Sequence, residues 1–220
     1  MGAPKTIKIP KKDKYLAEFL GILFGDGNSY QLIKGTKIRV YSITITGDIR
    51  KDLGYFKNFI RPLIKKLFGL DTRFKKLKSN GVQIIADGVN LIKFLEIEGF
   101  PPGDKIKNRL KVPKWIRKNK VLTIAFIRGL IDTDGSIFRM SNKDPNLLRI
   151  SLTNYIPNLL DDVRKDLIKL GFHPSKIISN KHFFLSRKKD IKRYTQMIGF
   201  SNPKHIKRLK KLSKVISPIV

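Results

Sequence analysis

Two apolar stretches lie 108 residues apart and end alike. FLGILFGDG runs from Phe19 to Gly27, and IRGLIDTDG from Ile127 to Gly135. Each closes an apolar helical pattern, KYLAEFLGILFG and LTIAFIRGLIDT, and each has a glycine five residues before a terminal acid: Gly21 before Asp26, Gly129 before Asp134. Glycine within a helix costs roughly 1 kcal/mol relative to alanine. An acid at a helix C-terminus faces the negative end of the dipole. One such Asp-Gly pair reads as an ordinary helix stop, but its recurrence at the same place in two copies does not. The chain therefore reads as one unit used twice. Gly21, Gly25, Gly129 and Thr133 would form the faces on which two helices meet at backbone distance, as small residues do between membrane helices.

The echo continues downstream. ITITGD (Ile43 to Asp48) parallels ISLTNY (Ile150 to Tyr155), and IEGFPPGDKIKNRL resembles MIGFSNPKHIKRL, with Ile106 against Ile206. Hydrophobic periodicity predicts helix, two strands, helix, two strands, helix in each half. In the first half these are helix Tyr15 to Gly25, strands Ser29 to Lys34 and Ile38 to Thr46, helix Ile49 to Phe68, strands Thr72 to Lys78 and Val82 to Ala86, and helix Val89 to Glu96. Asn80-Gly81 gives a hairpin signal. In the second they are helix Leu122 to Thr133, strands Ser136 to Met140 and Leu148 to Thr153, helix Ile156 to Leu170, strands Lys176 to Ser179 and His182 to Ser186, and helix Lys188 to Ile198. The division is residues 1–100, a proline-marked linker 101–120, and 121–220. The tail HIKRLKKLSKVI puts Ile206, Leu209, Leu212 and Ile216 on one stripe, as in a packed terminal helix.

Charge names the partner. Lys plus Arg number 47 against 17 Asp plus Glu, a formal net charge of +30 in 220 residues. Such an excess favours a polyanion, nucleic acid first. The chain has no cysteine, which excludes disulfides and thiolate zinc sites. His173, His182 and His205 form no ligand spacing. No signal-peptide pattern or membrane-length apolar run occurs. A monomer that is intracellular, in cytoplasm or nucleoid, with no membrane partner is expected. If the two motif helices cross at their small residues, Asp26 and Asp134 converge. Paired carboxylates repel unless a cation lies between them, and oxygen donors suit Mg²⁺.

Both stretches resemble the LAGLIDADG motif of the homing endonucleases, matching its glycine, its apolar positions and its terminal Asp-Gly. Two motifs about a hundred residues apart resemble the single-chain members. The resemblance implies an α+β fold of two pseudo-symmetric αββαββα halves, with motif helices at the interface and antiparallel sheets forming a DNA-binding saddle. It implies site-specific, metal-dependent cleavage of both strands of double-stranded DNA, leaving 3′ overhangs. Asp26 and Asp134 would be the catalytic and metal-binding acids, with Gly25 and Thr133 offering backbone carbonyls to two or three Mg²⁺ ions, for which Mn²⁺ or Ca²⁺ could substitute in binding. Phe24, where the second copy has Asp132, falls at a position that is structural in the family. No splicing-domain flanks are visible, so a free-standing intron-encoded enzyme is expected rather than an intein. The alternatives are an RNA-binding intron maturase or a cleavage-inactive DNA-binding relative.

Strand alternation nominates the DNA-reading residues. Ser42, Thr44, Thr46, Arg149, Ser151 and Thr153 would face outward from strands whose isoleucines face the helices. Arg39, Arg73, Lys75, Lys76, Lys78, Gln83 and Arg139 lie on or near the other strands. Asn154 and Lys188 are the candidate helpers beside the second acid. The position matching Asn154 is Gly47, so the two centres should be unequal.

Overall fold

The computed structural model describes residues 6–31, 40–140 and 147–213. Two helices form its axis. Helix α1 (Lys14–Asp26) starts where the Asp13 carboxylate accepts the N–H groups of Tyr15 and Leu16 at 2.9 and 3.1 Å. Helix α6 (Lys120–Asp134) starts in the same manner on Asn119, which accepts from Val121 and Leu122. These caps set the helix starts, earlier than the apolar pattern alone indicates. Phe19, Leu20, Ile22, Leu23 and Phe24 are fully buried. Each such side chain contributes about 1.5–3 kcal/mol of burial, which offsets the cost of the glycines.

Around α1 the first half is built from strands β1 (Gly27–Gln31) and β2 (Tyr41–Asp48), helix α2 (Ile49–Tyr55), a π-helical turn (Phe56–Ile60), helix α3 (Arg61–Phe68), strands β3 (Arg73–Lys76) and β4 (Gly81–Asp87), and helix α4 (Val89–Ile97). The expected helix Ile49 to Phe68 is thus one helical rod with a π turn in its middle. The four strands form an antiparallel sheet in the order β1-β2-β4-β3. The β3–β4 hairpin turns one residue before the Asn-Gly signal: Ser79 and Asn80 take positive φ, 56° and 64°.

After a short helix α5 (Lys114–Arg117), α6 opens the second half. Strands β5 (Gly135–Arg139) and β6 (Leu148–Thr153), helix α7 (Pro157–Lys169), strand β7 (His182–Leu185), and helices α8 (Lys188–Met197) and α9 (Pro203–Ser213) follow. Its sheet has three strands among the described residues, β5-β6-β7. The expected strand Lys176 to Ser179 does not form; only an isolated bridge joins Ile178 to His182. Pro174 lacks an N–H, and the Ser175 hydroxyl accepts the Phe184 N–H at 3.1 Å in place of a backbone carbonyl. Ser179 and Asn180 then turn back at φ 50° and 53°. Leu209 and Leu212 of α9 pack on the core, while Ile206 remains 37% exposed. Ile216, Arg39 and residues 32–38, on which the end of the expected strand Ser29 to Lys34 and the start of Ile38 to Thr46 fall, lie outside the described residues.

Among the described residues, no helix is long and apolar enough to cross a membrane.

Candidate active site and nucleic-acid interface

The glycines of α1 and α6 explain themselves at the crossing. A Cβ on Gly21 would stand inside the Phe126 carbonyl oxygen and 2.9 Å from the Leu130 nitrogen. Reciprocally, one on Gly129 would strike the Glu18 carbonyl and lie 3.0 Å from the Ile22 nitrogen. Only backbone fits between the two helices, in both directions. One turn on, a Cβ at Gly25 would collide with the Thr133 side chain and lie 3.3 Å from Asp134 Cγ. The four small residues thus carry the interface, and the helices end side by side. Phe24, at the departing motif position, is core: its ring packs on Phe126 at 5.3 Å and on Phe100 at 5.5 Å.

Asp26 and Asp134 stand half-buried at these ends. Burial pushes the Asp26 carboxyl up to about 6; Asp52 adds to the rise, and Lys204 and Lys105 oppose it. Burial also pushes Asp134 up to about 7, with the charge of Asp26 adding to it and an Asn154 hydrogen bond opposing it. Asn154 Nδ2 donates to Asp134 Oδ2 at 2.6 Å, and the Asn154 Oδ1 is fixed by the Ile156 N–H at 2.8 Å. Gly25, Lys105, Asp134 and Asn154 line a cleft of about 230 Å³ with Thr153 and Tyr155.

Lys105 escaped the sequence reading. Its ammonium donates to the carbonyls of Phe24 (3.2 Å) and Gly25, the latter an expected metal ligand. Burial lowers its pKa, while Asp134 and Asp26 hold it up. A cation therefore already favours this spot. The donors around it, two carboxylates and backbone carbonyls, are hard oxygens that fit a divalent ion of the Mg²⁺ kind. Among the described residues no cluster of three or more His, Cys, Asp or Glu offers a different metal site. Lys204 was missed as well; it stands in MIGFSNPKHIKRL, where the alignment of Ile106 with Ile206 sets it against Asp104 and Lys105 against His205.

Asp132 is structural. It is fully buried, its Oδ2 accepts the Ser201 N–H at 2.8 Å, and burial raises its pKa to about 8. Lys188, offered as a helper, sits exposed at the start of α8, and no described contact joins it to either acid.

The strand registers correct the interface list. Residues paired directly across an antiparallel ladder point to one face. Ser42 pairs with Asp87, Thr44 with Ile85, Thr46 with Gln83, and Arg73 and Lys75 with Ile85 and Gln83. These share the face away from the helices, whereas Ile43, Ile45 and Ile84 point to the core. Lys76 does not belong there: it pairs with buried Val82 and shares its face. Arg139 likewise pairs with buried Leu148 on the helix side. Lys78 lies past the end of β3, exposed beside the turn. In the second sheet Arg149, Ser151 and Thr153 face outward, with Ser136, Phe138, His182 and Phe184 beside them by register. Ser42 and Ser151 are nonetheless buried on that face. Register also adds Asn28 and Tyr30, opposite Thr44 and Ser42. Arg73 is held by Asp87 through two bonds of 3.1 and 3.3 Å. Arg149 stacks over Phe184 at 4.2 Å and donates to the Ser186 hydroxyl at 3.0 Å.

Known proteins share this frame. Residues 122–199 match the family model of the LAGLIDADG-like domain. I-DmoI, solved in complex with DNA and Mn, superposes with a TM-score of 0.61 at 22% identity, covering 86% of this chain and 98% of that one. I-DmoI is described as a homing endonuclease in its mesophilic variants, which superpose at 0.58 with 21% identity over 84% of this chain and 95% of theirs. Full-length DUF199/WhiA from Thermatoga maritima aligns over 97% of this chain and 64% of its own at 16% identity and a TM-score of 0.56. Two curated proteins also match in sequence. They are the tRNA-splicing ligase RtcB of Pyrococcus abyssi, 26% identical over 71% of this chain, and the replication factor C small subunit of Methanocaldococcus jannaschii, 27% identical over 93%. The chain spans only 18% and 11% of their lengths. The chain is thus a two-motif protein of the LAGLIDADG fold, with its family-model match in the second half.

Proposed function

We propose that this protein is a site-specific endonuclease that hydrolyses both strands of a double-stranded DNA target with a divalent metal, Mg²⁺ first. The observation that carries the reading is the convergence of Asp26 and Asp134 at the paired ends of α1 and α6. A glycine crossing that admits only backbone builds this juxtaposition, and a pure DNA-binding protein has no use for it. Asp26, Asp134 and the carbonyls of Gly25 and Thr133 would hold the metal. Bound there, Mg²⁺ would lower the pKa of a water and neutralise charge at the scissile phosphate. Lys105 would meet the phosphate as a second positive group, and Asn154 would keep the Asp134 carboxylate turned toward the cleft. The outward faces of the two sheets would lie along the duplex as a saddle for the major groove. Cutting across the minor groove would leave 3′ overhangs, and the pseudo-two-fold chain would act as a monomer.

Homing by such a nuclease agrees with the company it keeps. RtcB and the replication factor subunit carry unrelated names, yet each holds a segment like this chain in a small part of its length. A module found in unrelated hosts is what a mobile cutting element leaves behind, and a free-standing intron-borne gene would be the vehicle of this one. The second reading, a cleavage-inactive DNA-binding or intron-RNA-binding relative, draws on the likeness to DUF199/WhiA, which is described by its LAGLIDADG domain and not as a nuclease. Incubating the protein with a randomised library of DNA targets, with Mg²⁺ or with EDTA, separates the two. Metal-dependent cutting at one long site is expected. Retention of DNA or RNA with no cutting under any metal would overturn the nuclease reading.

A further inference from the structure

The two acids are supported by different means. Asn154 reaches Asp134 from the end of β6, and its counterpart in the repeat is Gly47. No side chain can extend from Gly47: a Cβ there would stand 2.9 Å from Asp52 Cβ and 2.9 Å from Phe56 Cζ. Asp52, from α2, occupies that room and is 7% exposed. Its Oδ2 accepts the Asp48 N–H at 3.1 Å. Its Oδ1 accepts from Asn202 Nδ2 at 3.1 Å and from Lys204 Nζ at 2.9 Å. Both partners come from the second half. Asn202, 1% exposed, also donates to the Asp132 carbonyl at 3.1 Å in the last turn of α6. The segment from Ser201 to Lys204 is therefore clamped between the last turn of α6 and α2. It brings a second-half ammonium to the paired ends of α1 and α6, where its charge opposes the rise at Asp26, against that of Asp52, and acts less on Asp134.

A buried acid costs several kcal/mol to desolvate, and an apolar residue of similar size would fill such a space at less cost. Asp52 serves something that a leucine would not. We propose that Asp52 and Asn202 are positioning residues that hold the Lys204 ammonium beside Asp26, so that the first-half centre is completed by the second half. Gly47 makes the room for this arrangement, as Asn154 makes it unnecessary at Asp134. The two strands are then cut by centres with different supports. The inference rests on the nuclease reading above.

The test measures each strand separately, on substrates already nicked in the other strand, with the strand belonging to each acid assigned by Asp26→Asn and Asp134→Asn. Lys204→Met is expected to slow the Asp26 strand by about 100-fold, the low end for loss of one group that stabilises transition-state charge. Asp52→Ala and Asn202→Ala should slow it by roughly tenfold and leave the Asp134 strand within about twofold, because they displace the lysine without removing it. Lys204→Arg should recover part of the loss. A second readout is independent of cutting: acylation of Lys204 by an amine-reactive label, followed by peptide mass spectrometry. Its labelling should rise several-fold in Asp52→Ala, with no change at Lys105. Equal slowing of both strands, or unchanged labelling of Lys204, would overturn the proposal. A wild-type protein that cuts no target sinks the nuclease reading instead, and the labelling result then stands alone on whether Asp52 holds Lys204.

Discussion

The end of α1 and the end of α6 look alike in sequence and differ in structure. At Asp134 the support is local: Asn154, twenty residues on, donates to the carboxylate at 2.6 Å. Around Asp26 it is long-range: Lys204, whose charge favours the ionised Asp26, is held by Asp52 of the first half, which also binds Asn202 of the second. The sheets differ in the same way. The first has four strands and fixes its Arg73 on Asp87. The second, with three strands among the described residues, leaves Arg149 stacked on an aromatic ring. A duplicated unit keeps what the crossing demands, namely the small residues and the terminal acids. It is free to change what surrounds them, because those contacts are made outside the helix pair.

The largest effect should come from the acids that the halves share. Asp26→Asn or Asp134→Asn should remove double-strand cleavage, by about 10³-fold or more, while DNA retention in a gel-shift assay is unchanged. Full cutting by either variant would break the equivalence of the two ends. The crossing comes next. Gly129→Ala puts a methyl group against the Glu18 carbonyl, backbone that cannot step aside, and should cost about 3 kcal/mol or more in urea unfolding. Gly54→Ala, in α2 with open space around it, should gain up to about 1 kcal/mol. Similar outcomes for the two would contradict the backbone contact.

A third comparison uses pH in the absence of metal. Asp26 has a folded-state pKa of about 6 against 3.8 for the free group, so between these values the folded protein holds a proton that the unfolded chain has released. Its contribution to stability is therefore greatest at acid pH and is lost as pH rises through about 6. Asp26→Asn removes that loss. In EDTA the variant should match the wild type near pH 4 and exceed it at pH 8 by roughly 2 to 3 kcal/mol. The opposite sign would mean that Asp26 is favourably paired in the folded state. The smallest effect concerns the sheets. Arg149→Ala should weaken specific DNA binding by about 1–3 kcal/mol, and Arg73→Ala by less, since Asp87 already engages its guanidinium. Binding titrations on one target would sharpen or erase that difference.

Much of this was legible in the chain. The repeated GxxxxD-G ending gave the helix pair, its small-residue face and the two acids, because close packing of two backbones leaves a compositional mark at fixed spacing. Alternation gave β2 and β6 with the correct faces, since a strand buried on one side repeats every two residues. What the sequence left open has a common cause. Lys76 and Arg139 fell on the wrong face because basic residues near a strand end carry no sign of their register. The strand expected at Lys176 to Ser179 was lost to a proline and one serine hydroxyl that compete with the ladder. Lys105, Asp52, Asn202 and Lys204 make the side-chain bonds that matter here with residues 70 or more positions away, so no local pattern reports those bonds. Local periodicity determined the elements and the pair of carboxylates. Which cations and amides stand around each carboxylate was decided only when the halves packed together, because electrostatic support across an interface depends on distance in space and not on spacing along the chain.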